Sequence, residues 1–74
     1  MLFYDYKGYT IYPAPRLVTG SGRWKIELKL RHHALARDYR YDEEFNSEGE
    51  AVFNCIKYGK QLIDEGIELL EEVI

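Results

Sequence analysis

From Arg23 to Arg31 the chain alternates strictly: Trp24, Ile26, Leu28 and Leu30 are apolar, and Lys25, Glu27, Lys29 and Arg31 are charged. Successive side chains on a strand point to opposite faces, so this segment predicts a strand with one buried and one wet face. Upstream, two runs rich in aromatic and β-branched residues, 2–6 and 9–15, flank Lys7-Gly8. Two residues suffice for a hairpin turn when glycine supplies a positive φ. The hairpin would pair Tyr6 with Tyr9 and, counting outwards, Phe3 with Tyr12 on the wet face. Pro13 and Pro15 cannot donate ladder hydrogen bonds, so the far end of that strand belongs at a sheet edge or outside the sheet. Residues 19–22 form the loop into the Trp24 strand. A further strand is expected from about Leu35 to Tyr41, with Tyr39 and Tyr41 on one face and Asp38 and Arg40 on the other.

From residue 47 the period changes. Ser47 followed by Glu50 is a capping-box pattern, in which the serine oxygen accepts a free backbone N–H at a helix start. At 100° per residue, Ala51, Val52, Cys55, Ile56, Gly59, Leu62, Ile63 and Gly66 share an apolar stripe that runs on through Ile67, Leu70, Val73 and Ile74. The prediction is an α+β fold: one β-β-β-(β)-α domain over residues 1–74, an antiparallel sheet of three to four strands with one long C-terminal helix packed on one face. A helix from Ser47 to Ile74 would be about 40 Å long, against about 27 Å for an eight-residue strand. It must overhang or break. If it continues, Ile67, Leu70, Val73 and Ile74 lack a sheet to cover them and become the expected self-association surface, with a homodimer as the expected state. The alternative is that Gly66 ends the helix, since glycine costs a helix interior only about 1 kcal/mol. Phe53 falls in the polar arc, a candidate exposed anchor for a partner.

Composition narrows the class. At 74 residues there is room for one domain with a thin core, and 46% hydrophobic residues exclude disorder as the default. Cys55 is the only cysteine, so neither an internal disulfide nor a cysteine-rich zinc site can form within the chain, and a reducing cytoplasm is the expected setting. The N-terminus lacks the basic region and apolar run of a signal peptide, and no apolar run approaches a membrane span. Neither secretion nor membrane insertion is expected.

Charge divides the chain: residues 1–40 carry a net +5 and residues 41–74 a net −8. The expectation is a basic sheet face turned away from an acidic helix. Lys25, Lys29, Arg31 and Arg40, interleaved with Phe3 and Tyr12, would form a face able to attract phosphate and stack bases. The competing reading is an ordinary solvated strand face. The histidines His32 and His33 are adjacent, so on a strand they diverge, and two ligands alone make a weak metal site. Cys55 lies within the helical stripe and reads as core. Ser21 lacks a following helix to form a nucleophile elbow. No catalytic, metal-binding or cofactor-binding residue is assigned.

Several short motifs carry a resemblance: Tyr6-Lys7-Gly8-Tyr9, Ile11 with Pro13 and Pro15, Gly22-Arg23-Trp24, and Gly59-Lys60-Gln61-Leu62-Ile63-Asp64. Over residues 4–66 the chain resembles a group of small bacterial proteins of mostly unknown function, some labelled as a haemolysin transcriptional activator family. The resemblance implies a small sheet-plus-helix domain in bacteria and brings no catalytic residue with it. The functional expectation is a non-enzymatic protein-interaction module that self-associates through its C-terminal helix. A nucleic-acid-binding or regulatory domain using the basic, aromatic sheet face is the alternative.

Overall fold

The computed structural model describes residues 2–66. Their order is β1 (Tyr4–Tyr6), β2 (Tyr9–Pro13), β3 (Arg16–Leu17), β4 (Trp24–His32), β5 (Leu35–Phe45) and α1 (Glu48–Asp64). The class is α+β, with an antiparallel sheet of five strands rather than three or four. The sheet is nevertheless four strands wide. β2 pairs Thr10 with Arg31 and Pro13 with Leu28, and β3 pairs Arg16 with Lys25 in the same register, so both lie along one edge of β4. Ala14 and Pro15 interrupt what is otherwise one strand, although the Ala14 N–H still donates to the Glu27 carbonyl at 2.8 Å. Proline has no N–H to give the ladder.

The first hairpin has the expected register, with Tyr6 opposite Tyr9 across Lys7-Gly8. Both turn residues have positive φ, 50° at Lys7 and 84° at Gly8, as a type I′ turn requires. The second hairpin turns just as tightly through His33-Ala34, with His32 opposite Leu35 and His33 at φ 56°. β5 is four residues longer than the alternation suggested. Between Lys25↔Glu44 and Glu27↔Arg40 the register shifts, three residues of β5 lying opposite Ile26. This bulge carries Asp42, Glu43 and Glu44 into the strand, although an acidic run of this kind reads as a loop. Lys25 opposite Glu44, the Arg23–Glu44 ion pair at 3.5 Å and a Tyr58 hydroxyl donating to Glu43 at 2.6 Å hold it there.

α1 covers one face. Ser47 caps it, its hydroxyl oxygen accepting from the Glu50 N–H at 3.2 Å. Ile11, Ile26, Leu28 and Leu30 from the sheet meet Ala51, Cys55 and Ile63 from the helix, all 8% exposed or less. The closest approach is at Gly59, where an added Cβ would lie 2.9 Å from two Ile11 carbons. The helix ends at Asp64, two residues before Gly66, the stop that the sequence allows. The Glu65 N–H bonds the Gln61 carbonyl, the Gly66 N–H bonds the Ile63 carbonyl, and Gly66 takes φ 84°. Glycine reaches this left-handed conformation without the Cβ penalty, which makes it a favoured helix terminator. Ile67, Leu70, Val73 and Ile74 lie outside the described residues.

Candidate interaction surfaces

Strand parity sorts the side chains. Inner positions on β4 are Trp24, Ile26, Leu28 and Leu30; those of β5 include Arg37, Tyr39 and Phe45, registered opposite Leu30, Leu28 and Trp24. Phe3, Tyr12, Lys25, Lys29, Arg31 and Arg40 share the outer face, as the alternation predicts. The expected aromatic pair forms, with Phe3 and Tyr12 ring centroids 6.1 Å apart. Phe3 remains 54% exposed.

This face is less basic than the charge division suggests. The register of β4 with β5 places Lys29 opposite Asp38, Glu27 opposite Arg40, and Lys25 opposite Glu44. Opposite charges at directly facing positions attract one another and leave little net field. Glu27 also draws two guanidinium groups, Arg40 at 3.4 Å and Arg16 at 3.8 Å. Arg31, opposite Ala36 and Thr10, donates to the His33 carbonyl at 3.2 Å. A hollow of about 700 Å³ lies here, lined in part by Tyr12, Lys29, Arg31, Asp38 and Arg40. Asp38 and Glu44, which face Lys29 and Lys25, come from β5, and Glu27, which faces Arg40, from β4.

Chemistry-bearing side chains are dispersed. The Cys55 thiol is buried beneath the helix and donates to the Glu27 carbonyl at 3.2 Å; burial raises its pKa, so it is held as the neutral thiol. His32 stacks on Tyr9 at 4.5 Å and its Nδ1 lies 3.0 Å from the Gly8 carbonyl, while His33 occupies the turn. Among the described residues no group of three His, Cys, Asp or Glu side chains is arranged to hold a metal ion. Ser21 serves its loop, its oxygen accepting from the Arg23 N–H.

At the other end, Asp64 ties helix to hairpin. Its carboxylate accepts from the Lys7 ammonium at 2.7 Å and the Tyr6 hydroxyl at 3.0 Å, bonds that hold its pKa below the ordinary carboxylate value. Lys60 lies 4.5 Å from the Tyr4 ring centre and 5.5 Å from that of Tyr6. On the solvent side of α1, Phe53 is 68% exposed, consistent with its place in the polar arc.

Sequence reasoning did not single out the outer backbone edge of β5. Eleven residues long, β5 pairs only with β4 among the described residues. The cue was the chain order: the His33-Ala34 turn lays β5 along β4, and among the described elements only a helix follows it. No helix among the described residues is long and apolar enough to cross a membrane. In comparisons with known proteins, no family model, curated protein or solved structure matches this chain.

Proposed function

We propose that this chain is a non-enzymatic bacterial protein-interaction module, acting in the cytoplasm and pairing with a second copy of itself. The outer edge of β5, unpaired among the described residues, is the observation that carries this reading. An unpaired strand presents a row of backbone donors and acceptors ready to receive another strand. The dispersal of Cys55, His32, His33 and Ser21 supports a non-catalytic role, because catalysis needs nucleophile, base and anion-stabilising donors within mutual reach. The apolar residues Ile67, Leu70, Val73 and Ile74 remain a second proposed contact. Light scattering coupled to size exclusion over a wide concentration range tests the reading. A dimeric mass supports it, conversion to monomer by Leu70→Glu assigns the contact to the tail, and a monomer at every concentration overturns self-pairing.

A nucleic-acid-binding role is favoured by one observation, the gathering of Phe3, Tyr12, Lys25, Lys29, Arg31 and Arg40 on one open face. The acids facing three of those cations weaken it. Binding to a single-stranded oligonucleotide that falls steeply with salt and drops on Lys29→Glu would establish it. Salt-independent or undetectable binding would remove it.

A further inference from the structure

We propose that the β5 edge pairs antiparallel with the β5 edge of a second copy, over residues 38–40 and about a two-fold axis at Tyr39. The inference rests on the self-pairing reading above and specifies its surface. Backbone direction comes first. The Ala14 N–H bonds the Glu27 carbonyl and the Val18 N–H bonds the Arg23 carbonyl, so these odd-numbered residues of β4 turn their polar groups towards β2 and β3. Alternation turns those of Leu28, Leu30 and His32 towards their β5 partners Tyr39, Arg37 and Leu35. The N–H and C=O groups of Ala36, Asp38 and Arg40 therefore point to the free edge.

Charge then selects the register. In the regular part of β5 the outer face carries Ala36, Asp38 and Arg40. A two-fold axis at Asp38 sets aspartate against aspartate, and one at Arg40 sets arginine against arginine. An axis at Arg37 leaves Asp38 facing Ala36. An axis at Tyr39 sets Asp38 against the partner's Arg40 twice over. The rows already present within one chain, Lys29–Asp38 and Glu27–Arg40, then extend across the interface as cation–anion–cation–anion, without a break. On the inner face the two Tyr39 side chains become direct neighbours, with Cα atoms about 4.5 Å apart in a non-hydrogen-bonded pair. The Tyr39 hydroxyl is buried and has no hydrogen-bond partner among the described residues. Beyond Arg40 the bulge bends the strand away, so the direct pairs in this register are Tyr39 with Tyr39 and, twice over, Asp38 with Arg40.

The test is complementation between two charge variants. Asp38→Arg alone sets arginine against arginine across the interface, and Arg40→Glu alone sets glutamate against aspartate. Each is expected to be monomeric by light scattering, with the far-UV circular dichroism of the parent. Mixed in equal amounts they present opposite charges at both positions, and the mass should double. Asp38→Pro, which removes one outward N–H and leaves the β4 ladder intact, is expected to abolish pairing on its own. Tyr39→Cys should form an intermolecular disulfide under mild oxidation, with Cys55 buried and silent. Variants that remain dimeric alone, a mixture that remains monomeric, or no Tyr39→Cys crosslink would overturn the edge and register. A dimer insensitive to all of these but dissolved by Leu70→Glu, or by ending the chain at Gly66, would assign pairing to the tail and keep the self-pairing reading. A parent monomeric throughout would end both.

Discussion

At the residue scale, Gly59 sets the distance between the layers. Its missing side chain lets α1 rest against Ile11, a fully buried residue. Gly59→Ala is expected to destabilise the fold by about 1–3 kcal/mol, because overpacking outweighs the gain in helix propensity. Gly49 is the internal control: it is also helical, but a Cβ there meets only the Ser47 oxygen at 4.0 Å. Gly49→Ala should be neutral or stabilising by up to about 1 kcal/mol. Denaturant unfolding of the two variants measures the difference, and equal midpoints would contradict the close approach. The helical stripe identified Gly59 as inward-facing. That it lies at the point of tightest contact was not legible, since it depends on which sheet residue stands beneath it.

At the element scale, the two ends of α1 are held differently. Ser47 caps the start, while Asp64, with Lys7 and Tyr6, fastens the end to the first hairpin. A carboxyl group whose folded pKa is depressed contributes stability above its unfolded value and loses it as pH falls through the folded value. Asp64 is such a group, held down first by Lys7 and then by Tyr6. Below about pH 4 the parent's melting temperature should therefore fall more steeply than that of Asp64→Asn. Identical acid slopes would show that the contact contributes nothing in solution, a real alternative for a pair this exposed. The strands show where patterning speaks and where it stops. Strict alternation from Trp24 to Leu30 identifies β4, and Lys7-Gly8 identifies the first turn. The end of β5 escapes because Glu43 is held by Tyr58, and Glu44 by Arg23 beside its register partner Lys25, partners from elsewhere in the chain. The end of α1 stays open between Gly66 and Ile74 in the sequence, because an apolar period continues past Gly66 regardless of that residue's φ.

At the scale of the whole molecule, a thin core makes association and stability one question. Ile11, Ile26, Leu28, Leu30, Ala51, Cys55 and Ile63 are the buried apolar residues described, a small set for a domain of this size. If copies pair through β5, the melting temperature should rise with protein concentration by mass action. That rise should vanish in Asp38→Arg alone and return when Arg40→Glu is added in equal amount. A melting temperature independent of concentration in the parent would speak against pairing. The six face residues were legible in advance because parity alone assigns them. That Lys25, Lys29 and Arg40 each face an acid was not, because it depends on the β4–β5 register set by His33-Ala34 and by the bulge.

The bulge in β5 also bears on how such a chain can change length. It adds two residues, an even number, so Phe45 returns to the same face as Trp24 and the strand enters the helix cap in phase. Removing both extra residues would shorten β5 and leave every face assignment intact. Removing one would leave two residues opposite Ile26, the count of an ordinary β-bulge, with Phe45 still facing Trp24 but with a different bend and twist in the strand. Insertions and deletions at this point should therefore alter how the strand bends into the helix cap before they alter which face its residues occupy.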